Sequence, residues 1–203
     1  MKKETLLLNQ YASCLIMDIT SFETASNRAY SDMARRTLQV EADDEAKLAL
    51  KKEGTIYLEK RIDELKKVKI DQTEFDNWHR NTCLGIRNIY DGYTFHYGQA
   101  QKWLNMLLKY LYAYDVEDYR DLFSDELIKV LHMPIDSKII RALQEFEIVN
   151  QNGTWSRWGE DDYIEYQKMA RQVLSDWPFD NPDEKIPFYW ELINWPKQGQ
   201  LIL

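Results

Sequence analysis

The chain reads as an all-α protein, and three observations lead there. Glycine and proline are scarce, 7 and 5 in 203 residues, so few points interrupt regular structure. Apolar residues recur every three or four positions over most of the length, which is the spacing of a helix face. Short polar residues suited to capping stand ahead of several of these runs. With 44% hydrophobic residues, 7 Trp and 13 Tyr, the chain has enough apolar mass for a sizeable core. One helical domain, 1–203, is expected, within which 1–72 and 73–203 form candidate lobes.

The elements follow in order. Leu6, Tyr11, Leu15, Ile16 and Ile19 mark a first helix up to about Ser21, and Glu23 to Leu38 a second. Asp43-Asp44 open a third, rich in Ala and Lys, which Gly54 interrupts or bends before Ile56, Leu58, Ile62, Leu65 and Val68 continue its apolar face. The charges between Lys51 and Lys69 suit a solvated, ion-paired face, with phosphate contact as the alternative. Thr73-Glu74-Phe75-Asp76 start a helix that ends at the Asp91-Gly92 turn. The clearest helix is Gln99 to Tyr114, whose stripe of Trp103, Leu104, Leu107, Leu108 and Leu111 is broad enough to make it central. An acidic connection from Asp115 leads to a short helix near Ser124 to Leu131. Asp136 caps the next, Ser137 to Glu147. Asn152-Gly153 is a tight turn, flanked by Ile148-Val149 and Thr154-Trp155 as a candidate minor β-hairpin. Helices over Gly159 to Ser175 and Ile186 to Trp195 complete the chain.

Composition narrows the function classes. The net charge of −8 argues against a broad nucleic-acid-coating surface, though not against a small basic patch around one pocket. Cys14 and Cys83 give neither a disulfide framework nor metal-ligand spacing, so a reducing, cytoplasmic setting is expected, with no metal and no cofactor. Met1-Lys2-Lys3 is not followed by an uninterrupted apolar stretch, and no run reaches the length of a membrane span, so no membrane partner is expected. None of the three histidines has an arginine five to seven residues before it, which removes the Arg-x4–6-His pair of helical toxin nucleases.

The most informative segments are Gly98-Gln99-Ala100-Gln101-Lys102 and Met133-Pro134-Ile135-Asp136-Ser137-Lys138, whose aspartate lies 34 residues on from the lysine. Each puts a reactive group at the start of a helix, where unpaired amides and the macrodipole act as a partial positive charge. That field favours an ionised aspartate and a lysine that has lost its proton, which is the requirement for imine-forming amine chemistry. The same residues also fit a solvated first-turn lysine and a plain N-cap.

In order and residue type, these segments resemble the helix-hairpin-helix DNA glycosylases, most of all the lysine-bearing 8-oxoguanine members and their archaeal-type branch. Gly98 to Lys102 looks like the family's Gly-x-Gly-x-Lys hairpin, with Ala100 in place of the second glycine and His96-Tyr97 in place of an apolar lead-in. Pro134-Ile135-Asp136-Ser137 looks like its Pro-Val-Asp-(Thr/Ser) segment. The resemblance implies a partner, double-stranded DNA with one base flipped into a pocket, and catalysis by Lys102 as nucleophile and Asp136 as its assisting carboxylate. It implies DNA contacts at Gly98, Gln99, Gln101, Lys138 and Arg141, with backbone amides from Gly98 to Gln101 holding a phosphate. Met106 and Trp190 become the base-pocket residues. Either 8-oxoguanine or a modified base of viral DNA fits as substrate. A rival of another class is a non-catalytic helical adaptor in phage defence or anti-defence, in which exposed aromatics serve protein binding.

Overall fold

Short polar side chains close the open ends of the helices. In the computed structural model, residues 19–66, 70–150 and 152–195 are described; the expected first helix lies largely outside them. Ser21 Oγ accepts from the Thr24 amide at 3.2 Å and opens α1, Phe22–Thr37. Asp43 accepts from the Ala46 amide at 2.7 Å and opens α2, Asp44–Leu65. Asp71 and Glu74 bond each other's backbone amides, at 2.9 and 3.0 Å, and open α3, Gln72–Ile89. Then follow α4, Tyr97–Ala113; α5, Asp125–Val130, capped by Ser124; α6, Ser137–Leu143, capped by Asp136; α7, Glu160–Asp176; and α8, Pro187–Asn194. Short 3-10 turns occupy Glu117–Leu122, Gln144–Phe146, Trp155–Arg157 and Pro182–Lys185. The fold is all-α: no strand occurs among the described residues, and no helix there is long and apolar enough to cross a membrane.

The centre of the molecule is α4, in which all 17 residues are buried. The most extensive packing is that of α1 on α4, and α3, α7 and the Trp155–Arg157 turn also lie against it. Trp103 sits on the α1 side, fully buried, with its indole N–H donating to the Ser26 carbonyl at 3.3 Å and the Tyr30 ring edge-on at 4.8 Å. One cluster of buried residues runs across residue 72, from Phe22, Met33 and Ile62 to Phe75, Leu107 and Leu174.

Two sequence expectations fail here for packing reasons. Helix α2 passes through Gly54 without a break, because the glycine is there for close approach: a Cβ would lie 2.5 Å from the Trp103 ring. The candidate hairpin does not form. Asn150 holds a turn through Asn152 N (2.9 Å) and Gly153 O (2.7 Å), but Thr154 to Trp158 then pairs with the start of α4, where Gly98 N donates to Trp158 O at 3.1 Å. Trp155–Arg157 winds into a 3-10 turn and leaves Ile148-Val149 without a strand partner.

Gly98 sits directly under this turn, and a Cβ added to it would run into the Trp155 carbonyl oxygen. Gly98→Ala is therefore expected to destabilise the fold by about 1–3 kcal/mol, the usual range for overpacking. Urea denaturation of the two proteins measures it; equal midpoints would show that the glycine has no packing role.

Candidate active site

Burying all of α4 also buries Gln99, Gln101, Lys102, Asn105 and Lys109, and each polar group then needs a partner inside the protein. Lys102, Met106 and Lys109, at i, i+4 and i+7, share one face of α4 and line a cleft of about 760 Å³. Helix α1 forms one wall, while α6, Asn150, the 153–156 turn and Trp195 form the rest.

The carboxylate reaches this cleft because its segment hangs on α4. Gln101 Nε2 donates to the Ile135 carbonyl at 3.1 Å, and Gln101 Oε1 accepts from the Ile135 amide at 3.4 Å. Asn105 Nδ2 and Gln167 Nε2 both reach the Met133 carbonyl, at 3.4 and 2.7 Å. With Met133 and Ile135 fixed, Asp136 falls at the start of α6, extended (φ −146°, ψ 179°), and its Oδ1 accepts from the Lys138 and Ile139 amides at 2.9 and 3.0 Å. Its Oδ2 faces Lys102, with Nζ at 2.8 Å, and also accepts from the Trp195 indole N–H at 3.2 Å. The lysine side chain is 4% exposed and the aspartate 15%.

Burial raises the Asp136 pKa, but the Lys102 ammonium with its hydrogen bond, the Ile139 amide and the Trp195 indole outweigh it and hold the carboxyl below its ordinary value. Seven residues beyond Lys102, Lys109 Nζ sits 2.9 and 2.8 Å from the two oxygens of Glu191, which is fully buried on α8. Burial pushes Glu191 up, against the pull of Lys109 and Lys102. Trp195 joins the two pairs, its ring 5.2 Å from Lys109 Nζ and 4.2 Å from Lys138 Nζ. The floor thus offers a lysine amine, the Asp136 carboxylate and an indole wall, with Glu191 buried behind it, a set suited to attacking an electrophilic carbon beside a planar ring.

The residues named from sequence divide into two groups. Lys102, Met106, Asp136, Lys138 and Arg141 line the one cleft. Gly98, Gln99 and Gln101 do not: they are buried in internal contacts, Gln99 Nε2 on the Thr37 carbonyl at 2.9 Å and Gln101 on Ile135. The amides of Gly98, Gln99 and Ala100 are likewise engaged, by Trp158 O and His96 O. Lys102 is the sixth residue of α4 rather than a first-turn one, because the helix starts two residues earlier than Gln99. Its setting comes from Asp136, not from free helix-end amides. Trp190 is 1% exposed and packs edge-on against Phe146 at 5.6 Å, so the tryptophan that the C-terminal segment gives to the cleft is Trp195, five residues further along.

Sequence reasoning missed Trp195, Glu191 and the α1 arginines Arg28, Arg35 and Arg36, all but Glu191 lining the cleft. A usable signal existed for the arginines, whose spacing of i, i+7, i+8 puts them on one helical face.

Beneath the cleft, a second buried network holds the same segment from the other side. His79 Nε2 bonds Asn105 Oδ1 at 2.9 Å, Tyr163 Oη bonds Asn105 and His132 Nδ1 at 2.8 and 3.0 Å, and His132 Nε2 bonds Asp76 at 2.8 Å. Burial presses the His79 pKa well below its usual value. Burial raises Asp76, but His132, Gln72 and Arg171 overcome it and bring the carboxyl to about 2.

Comparison with protein-family models, with curated proteins and with solved structures finds no match for the chain.

The two shifts have the same sign for stability. His79 binds its proton more weakly folded than unfolded, so its contribution is lost as pH falls below about 6.5. Asp76 holds its proton more weakly too, and its contribution is lost as pH falls from about 4 towards 2. Denaturant midpoints should therefore drop in two stages on acidification, and His79→Gln should shrink the first, which buried His132, also held below its usual value by burial, shares. A midpoint constant from pH 7 to 5 in the native protein would contradict this assignment.

Proposed function

We propose that the protein is a DNA glycosylase with lyase capacity, acting through Lys102 as nucleophile with Asp136 as its partner, on a base flipped out of the duplex. The observation that carries this reading is the 2.8 Å Lys102–Asp136 contact at the floor of the basic cleft. A lysine held this way is positioned, shielded from bulk water and neutralised by a single carboxylate. The helix-hairpin-helix resemblance assigns the same two residues to these roles.

The flipped base lies against Trp195, whose indole is a flat wall for stacking, with Met106 also lining the cleft. Asp136, ionised, stabilises positive charge that grows on the sugar as the bond from C1′ to the base weakens. The electron pair of that bond leaves with the base, which takes a proton from the Lys102 ammonium. The freed amine forms the Nζ–C1′ bond, and ring opening gives a protonated imine. Loss of a 2′ proton then breaks the C3′–O bond and releases the 3′ phosphate as leaving group. The substrate on this reading is an oxidised purine such as 8-oxoguanine or a modified base of viral DNA.

Borohydride trapping tests the reading, because it reduces the imine to a stable amine and leaves protein fixed to DNA. Duplexes carrying an abasic site, 8-oxoguanine or other modified bases should give a cross-link with the native protein and none with Lys102→Gln. Gln keeps helix propensity and a donor towards Asp136, so that variant should stay folded by circular dichroism. Asp136→Asn should lose base release and also cost about 3–5 kcal/mol, since it leaves a buried lysine without its counter-charge. A Lys102→Gln protein that still cross-links overturns the assignment of the nucleophile, and a native protein that neither releases a base nor cross-links overturns the enzyme.

A further inference from the structure

The cations of the cleft fall into two sets, and the division points to a use. Lys102 and Lys109, on the floor, are almost completely buried and each is neutralised by a carboxylate, Asp136 or Glu191. Arg35 and Arg36, at the end of α1, and Arg141, on α6 across the cleft, are exposed and have no carboxylate partner among the described residues. On a chain of net charge −8, three exposed arginines without a described carboxylate partner thus stand at the mouth of the cleft that holds the lysine–aspartate pair. Exposed arginines grouped in this way attract a polyanion to the mouth.

A second observation gives these arginines their task. The amides at the start of α4, the segment that sequence alone offers as a phosphate cradle, are closed off: Gly98 N is bonded to Trp158 O, and Gln99 N and Ala100 N to His96 O. The Trp155–Ser156 backbone also covers Gly98 so closely that not even a methyl group fits there. Phosphate anchorage at this cleft has to come from side chains, and the exposed ones with the right charge and fork geometry are arginines.

We infer that Arg35, Arg36 and Arg141 form a two-sided clamp for the phosphodiester backbone of a DNA strand, with the α1 pair on one side of the inserted nucleotide and Arg141 on the other. This rests on the glycosylase reading for the identity of the polymer. The clamp itself predicts binding rather than chemistry, so the two fail separately. The arginines position the strand over Lys102 without touching the reacting carbon.

The test is fluorescence anisotropy on a short duplex with a non-cleavable tetrahydrofuran abasic site, over a series of salt concentrations. It compares the native chain with Arg35→Gln/Arg36→Gln, Arg141→Gln and, as a control away from the cleft, Lys51→Gln/Lys52→Gln. Each lost phosphate contact should lower the slope of log K against log salt by about 0.9, so the double variant should lose nearly two units and the single variant one. The control should lose none. An unchanged slope in both clamp variants, or an equal loss in the control, overturns the clamp. Loss of slope in a protein that never cross-links to an abasic duplex upholds the clamp and removes the enzyme. A native chain that binds no duplex even at low salt overturns both.

Discussion

A helix buried on every side must place each of its polar side chains against a partner, and in this protein that requirement falls on α4. Five of its residues carry amide or ammonium side chains, and each ties another part of the chain to the centre. Gln99 fixes the end of α1, Gln101 and Asn105 fix the segment before α6, Lys109 fixes α8 and Lys102 fixes Asp136. The hydrophobic stripe supplies the driving force for burial, and the polar groups decide which neighbours may lie where. Leaving one of them unpaired costs the full desolvation of that group, so alternative packings of the surrounding elements are disfavoured.

The site is a by-product of the same rule applied at two levels. Two lysines on a buried face demand two carboxylates, and the chain provides them from α6 and α8, 34 and 82 residues away from their partners. Because each ammonium is matched inside, the floor can be dry and nearly neutral while the mouth keeps its positive charge. The combination sets desolvation and a fixed counter-charge at the closed end beside positive charge at the open end. Trp195 contributes at both ends, donating to Asp136 while its ring meets Lys109 and Lys138.

Support for the geometry reaches well below the cleft. The His79–Asn105–Tyr163–His132–Asp76 chain and Gln167 grip the residues leading to Asp136 from the side opposite the lysine. These groups do not face the cleft, yet they restrain the backbone that carries its carboxylate. A site built on a helix and a clamped segment keeps its side chains in place before any ligand arrives.

Much of this was determined by the sequence alone, and what it determined was local. Helix positions follow from the periodicity of apolar residues, and the Asp136 cap follows from a side chain that reaches amides only two and three residues away. That α4 would be central follows from the width of its stripe, and its lysine could be paired with Asp136 only through a resemblance in motif. Only the tertiary structure decided what depends on approach between distant segments. Gly54 and Gly98 look like breaks or cradles in sequence, and each is a place where an indole or a backbone turn presses close. Trp190 and Trp195 are alike in composition, but the direction of α8 buries one and turns the other into the cleft. The candidate hairpin had suitable residues and lost them to the start of α4, because a hydrogen bond to a central helix competes directly with one to a neighbouring strand. Periodicity encodes which face is apolar, whereas the partner of a polar group is chosen by whichever donors and acceptors the packed fold brings within about 3 Å.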